Sequence, residues 1–89
     1  MPQKDIIIIN KLGLHARAAA KFVTLASQFE SAIEVSRLQQ KVNGKSIMGV
    51  MMLAASKGTT LSISATGPDE DMALQQIEAL ILDRFQEAE

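Results

Sequence analysis

The chain has no cysteine, no tryptophan and no tyrosine, and it has only one histidine, two prolines and three phenylalanines in 89 residues. Each shortage removes a class of reading. Without cysteine there is no disulfide framework and no cysteine-based zinc site, and one histidine alone cannot build a metal centre. The composition therefore suits a reducing cytoplasm. Three aromatics give no stacking platform of the kind single-stranded nucleic acid needs, so nucleic acid is not an expected partner. No run is long enough to cross a membrane: the four-isoleucine run Ile6 to Ile9 is far too short and follows directly on Met1-Pro2-Gln3-Lys4-Asp5, with no secretory signal. There is no phosphate-binding P-loop and no dinucleotide fingerprint, and no bound cofactor is implied.

What is present is enough for one domain, expected over residues 1–89, and too short for two. Hydrophobic residues make up 47% of it, so a core can form without covalent or metal support. The net charge is −1, unevenly spread. Residues 1–49 carry seven Lys/Arg against three Asp/Glu, a net of +4, and residues 50–89 carry two against seven, a net of −5. The basic half holds the single histidine and should attract anions.

Periodicity orders the elements. Lys4 to Asn10 reads as a strand, β-branched through its isoleucines. Lys11 to Leu14 is a short loop. Ala16 to about Phe29 is helical, with Ala19, Phe22, Val23, Ala26 and Phe29 on one face. Ala32 to Ser36 alternates as a strand, Leu38-Gln39 turns, and Gln40 to Val42 completes a hairpin. After the Asn43-Gly44 turn, Ser46 stands as N-cap to a short helix reaching Ala54, ended by Lys57-Gly58. Thr59 to Thr66 alternates with Leu61, Ile63 and Ala65 inward and Thr60, Ser62 and Ser64 outward. Asp69 is placed to cap a last helix whose buried stripe is Ala73, Leu74, Ile77, Leu80, Ile81 and Phe85. The order β-α-β-β-α-β-α implies an α+β fold: a two-layer open-faced sandwich, a four-stranded antiparallel sheet with three helices on one face.

The chemistry centres on Gly13-Leu14-His15-Ala16-Arg17. A residue just ahead of a helix faces the unpaired amides of its first turn and the positive end of its dipole, a favoured place for phosphate. For a lone histidine the ordinary alternative is a surface cap without special role. The neighbours shift that balance. Gly13 permits a tight turn, and Arg17 in the first helical turn opposes the dipole unless an anion compensates it. Its planar fork suits phosphate oxygens. A model imidazole, with a pKa of about 6.5, is substantially neutral and nucleophilic near neutral pH. His15 is thus read as a covalent phosphate carrier and Arg17 as its phosphate-stabilising partner.

The segment Gly-Leu-His-Ala-Arg-Ala-Ala resembles the active-centre signature of the HPr family, the histidine-containing phosphocarriers of the bacterial phosphoenolpyruvate-dependent phosphotransferase system. The likeness extends over almost the whole chain. A second motif, Lys45-Ser46-Ile47-Met48-Gly49-Val50-Met51, is similar to the family's regulatory-serine segment. The family commonly has proline after the arginine, whereas this chain has Ala18; alanine is a strong helix former, so the helix start should survive. The resemblance implies a carrier rather than an enzyme, cytoplasmic, phosphorylated at Nδ1 of His15 by enzyme I and donating to enzyme IIA domains of sugar transporters. It also implies regulatory phosphorylation of Ser46 by HPr kinase/phosphorylase. Taken alone, Ser46 reads as a plain N-cap.

The second helix is apolar almost all round. Val50, Leu53 and Ala54 suffice for its buried side, which leaves Ile47, Met48, Met51 and Met52 exposed as a docking surface. Leu14, Ala16, Ala20, Lys21 and Gly49 complete the expected partner-binding set, Gly49 by admitting a partner's backbone. Lys21 and Lys45 are candidates for electrostatic steering. The carrier is expected to be a monomer. Other readings are a nitrogen-branch phosphotransferase carrier, a binding module switched at Ser46, and a small α+β domain without phosphate chemistry. The His-x-Arg motif at a helix start argues against the last.

Overall fold

The computed structural model describes residues 2–87; positions 1, 88 and 89, the ends of the expected 1–89 domain, lie outside the described residues. The elements are β1 (Gln3–Ile7), α1 (Ala16–Ala26), β2 (Ala32–Arg37), β3 (Gln40–Asn43), α2 (Ile47–Met52), β4 (Thr60–Thr66) and α3 (Glu70–Leu82), followed by one tight turn at Arg84–Gln86. The four strands form one antiparallel sheet in the order β1-β4-β2-β3. The expected element order and open-faced two-layer architecture are both found.

Alternation explains the layers. Ile6, Ile33, Val35, Leu61, Ile63 and Ala65 point from the sheet into one core with Phe22, Val50, Leu53, Leu74, Ile77 and Ile81. Side chains a single residue away lie on the open face, where Ser62 donates to Asp5 at 2.6 Å and Lys41 lies 3.9 Å from Glu34. All three phenylalanines are buried. Ser64, expected outward, is nevertheless 6% exposed, because on this central strand it is flanked by Gln3 of β1 and Glu34 of β2.

Several boundaries differ from the sequence reading, each for a local reason. β1 ends at Ile7, although Ile8 still donates to the Thr59 carbonyl and Ile8 is fully buried. α1 ends at Ala26 because Gln28 and Phe29 bond to carbonyls only three residues back, tightening the last turn; Phe29 stays buried. α2 ends at Met52, and Ala54 adopts a left-handed φ of 50°. That reversal exposes Ala54, expected in the core, and buries Ala55 in its place. Arg37, from β2, donates to the carbonyls of Leu53 and Ala54 and so closes this helix end.

Asp69 sits at the N-cap of α3 but its side chain does not cap the helix. Its carboxylate instead accepts from Ser31 Oγ at 2.5 Å and from the amides of Ser31 and Glu30, each at 3.0 Å. Ser31 is fully buried and its donors need an acceptor, which outweighs a cap on an exposed helix start. Those hydrogen bonds, led by the Ser31 hydroxyl, hold the Asp69 carboxyl below the usual range. Glu70 takes over locally by accepting from the Gly67 amide.

Candidate functional site

The loop between β1 and α1 is fixed from both ends. Gly13 has φ +67°, and a Cβ there would come within 2.5 Å of the Ala55 carbonyl oxygen. Only glycine satisfies both demands. The next amide, of Leu14, donates to that same carbonyl at 2.8 Å. The segment leaving α2 therefore positions the loop that enters α1. Leu14 itself is buried, 5% exposed, so it anchors the loop and offers no surface to a partner, contrary to its place in the expected docking set.

His15 follows as the N-cap of α1, with extended backbone (φ −77°, ψ 179°), and its carbonyl accepts from Ala19. Its imidazole does not cap the helix. Among the described residues, the amides of Ala16, Arg17 and Ala18 take no acceptor, as expected of a first turn. Ala18, where the family commonly has proline, is fully buried within an intact first turn. Arg17 is exposed and its guanidinium makes no hydrogen bond or ion pair with a described residue. A cation near the positive end of a helix, paired with nothing, is poised for an anion.

The contact on the imidazole comes from the other end of the chain. His15 Nε2 lies 2.5 Å from a Glu87 carboxylate oxygen. The other Glu87 oxygen accepts from Asn10 Nδ2 at 3.0 Å, and the same Nδ2 donates to the Gly13 carbonyl at 2.9 Å. Two acceptors on one atom identify it as the amide nitrogen. Asn10 is fully buried, and its Oδ1 has no partner among the described residues. The chain reaches this place through three consecutive left-handed residues, Arg84, Phe85 and Gln86 (φ 53°, 54° and 64°). Such backbone costs about 1–2 kcal/mol per residue. Here Phe85 is drawn fully into the core, and Lys21 Nζ donates to its carbonyl at 2.8 Å. Burial opposes ionisation of Glu87, but the bonds from Asn10 and His15 and the charges of His15 and Lys21 prevail, so its carboxyl is held below the usual range.

These groups border an open depression of about 810 Å³, lined by Lys11, Leu12, His15, Ala16, Arg17, Lys21, Gln86 and Glu87. Ala20 belongs to the adjoining depression, which shares Arg17 and Lys21. Asn10, Lys11, Leu12 and Glu87 were not legible as site residues. Glu87 is 72 positions from His15, and only the return of the last element to the start of α1 brings it there.

The second site lies elsewhere. Ser46 is the N-cap of α2, and its Oγ accepts from the Gly49 amide at 3.1 Å. Gly49 is half-buried, and a Cβ there would lie 3.3 Å from Ser46 Oγ and Val42 Cβ. Its missing side chain makes room within the molecule rather than for a partner. Ile47, Met48, Met51 and Met52 are all exposed, Met48 most at 72%. Lys45 is engaged, donating to the Phe29 carbonyl at 2.7 Å. Because the segment leaving α2 bonds the His15 loop, Ser46 stands at the far end of the helix, about 9 Å along its axis for six residues.

Comparison with known proteins converges on one family. Residues 2–83 match the model of the PTS HPr component phosphorylation site. The phosphocarrier protein HPr of Cupriavidus necator is 54% identical over 89 residues, spanning both chains completely. Among solved structures, the HPr-C-His of Thermoanaerobacter tengcongensis superposes with a TM-score of 0.96 at 47% identity, again over both whole chains. A structure of an HPr dimer from the same organism reaches 0.79 at 48% identity, covering 98% of this chain and all of that one. With the signature histidine at an open helix start on the matching fold, the chain belongs to the HPr family of phosphotransferase-system phosphocarriers, which are carriers and not enzymes.

Proposed function

We propose that His15 accepts a phosphoryl group from phosphoenolpyruvate-charged enzyme I and hands it to enzyme IIA domains of sugar transporters. The observation that carries this is the start of α1: three amides and a guanidinium, none with a partner among the described residues, all within three residues of one histidine. A phosphoryl group on that ring meets donors already oriented, and little reorganisation accompanies its arrival. The basic half of the chain steers anionic partners toward it. Exposed Ala16, half-buried Ala20 and Lys21, and the methionines of α2 supply the docking face. The carrier is proposed to act as a cytoplasmic monomer over residues 1–89; no helix among the described residues is long and apolar enough to cross a membrane.

Ser46 is the proposed regulatory site, phosphorylated by HPr kinase/phosphorylase. A phosphate on an N-cap serine is compatible with the helix, and it places roughly −1.5 to −2 charges beside Ile47 and Met48. Since Ser46 is remote from His15 along α2, the effect falls on docking rather than on the imidazole.

The test is incubation with phosphoenolpyruvate and enzyme I. One acid-labile phosphate should be gained by the wild type and none by His15→Ala. Acid-stable label, or label retained by the mutant, contradicts the proposal.

A further inference from the structure

We infer that Glu87 is a positioning residue for His15: its carboxylate accepts the Nε2 proton and leaves the ring's free lone pair on Nδ1. This rests on the proposed role of His15 and names the group that sets which ring nitrogen reacts. An ionised carboxylate can only accept, so the nitrogen 2.5 Å from it must carry hydrogen. Nδ1 has no partner among the described residues. The carboxylate is itself held from behind by Asn10, a fully buried side chain anchored to the Gly13 carbonyl, two residues before the histidine. Carboxylate, imidazole and loop thus form one closed arrangement: the amide orients the acid, and the acid orients the ring. Three left-handed residues and the Lys21 bond to Phe85 bring the acid to this place, and no local sequence preference would do so. Carboxylates hydrogen-bonded to the far nitrogen of a reacting histidine select its tautomer and face the charge it acquires.

The step balances without any further reactant. The Nδ1 lone pair attacks the phosphorus carried by charged enzyme I, and a new N–P bond forms. The bond that held this phosphorus to enzyme I breaks, and its electron pair stays with enzyme I. His15 keeps its Nε2 proton, so positive charge develops on its ring, facing the Glu87 carboxylate across the existing hydrogen bond.

The experiment is nitrogen NMR of the His15 ring at a pH where it is neutral, combined with single-turnover acceptance from phosphorylated enzyme I. Wild type should show hydrogen on Nε2. Glu87→Ala should give a mixture of tautomers and accept phosphate about tenfold more slowly, the worth of one charge-assisted bond. Glu87→Gln keeps an acceptor oxygen and should restore the tautomer, while accepting more slowly than wild type because the charge is gone. A wild-type ring protonated at Nδ1, a ring spectrum unchanged in Glu87→Ala, or acceptance as fast as wild type in Glu87→Ala each overturns the inference. These failures are distinct from failure of the proposed function, which is read by His15→Ala alone.

Discussion

The starts of α1 and α2 present the same problem, a set of first-turn amides without intrahelical partners, and treat it in opposite ways. At α2 the cap residue turns inward: Ser46 Oγ takes the Gly49 amide, and the end is closed by the chain itself. At α1 the cap residue turns away: the His15 ring goes to Glu87, and the amides of Ala16, Arg17 and Ala18 take no acceptor among the described residues. Closing a helix end with a hydroxyl is worth about 1 kcal/mol, so the open end forgoes stability that a serine or aspartate at position 15 would provide. Arg17 deepens that deficit by placing a cation against the positive end of the dipole. A phosphoryl group offsets both at once. The two helix starts therefore separate a place organised to receive phosphate transiently from a place already complete, where phosphate is an addition.

Beyond the total loss expected of His15→Ala, the largest effect should come from Arg17. Losing a charge-assisted hydrogen bond, worth roughly 1.5–3 kcal/mol, slows transfer about ten- to a hundredfold if felt wholly in the transition state. Stopped-time labelling of Arg17→Ala should show that slowing with an unchanged circular dichroism spectrum. Arg17→Lys should also be impaired, because an ammonium lacks the planar fork. Equal rates in all three proteins would remove the distinction between the two helix starts.

Next in size is Gly13→Ala, which forces a left-handed alanine against the Ala55 carbonyl. It should cost about 1–3 kcal/mol, at roughly 4–8 °C in Tm per kcal/mol, and should slow transfer by displacing His15. Ser46→Ala sharpens the comparison from the other side. It should lower stability by about 1 kcal/mol in urea titration and leave transfer to His15 at the wild-type rate. Ser46→Asp should instead keep the fold and weaken affinity for enzyme I, most at low salt, through charge beside an apolar contact. Met48→Ala should weaken the same docking without that salt dependence.

The smallest effect concerns acid. Asp69 and Glu87 both hold their carboxyl pKa below the ordinary values of 3.8 and 4.5. Each binds a proton less readily folded than unfolded, so its contribution is present above the ordinary value and is lost as pH falls through the lowered one. Urea midpoints measured on acidification below about pH 5 should fall, and Asp69→Asn should flatten that dependence.

The layers of the fold were legible because burial follows period: strand alternation at Leu61, Ile63 and Ala65 and the helical stripe of α1 leave one consistent core. The His15 and Ser46 positions were legible because caps and glycine turns are local. What escaped was decided by contacts distant in sequence. Asp69 has every local mark of a cap, yet the buried donors of Ser31, 38 residues away, claim its carboxylate. Phe85 fits the stripe of α3 but lies beyond it, in a left-handed turn that no propensity favours. Glu87 carries no local mark at all, since an acid near the end of a charged helix is ordinary until the fold sets it on His15.

The difference between the two helix starts is decided by where a phosphoryl group is held once it arrives. Amide NMR of the protein charged by phosphoenolpyruvate and enzyme I measures this residue by residue. Large downfield shifts are expected at the amides of Ala16, Arg17 and Ala18, with the Gly49 amide unmoved. Shifts centred on Gly49, or first-turn amides of α1 unchanged in a fully charged sample, would contradict that difference.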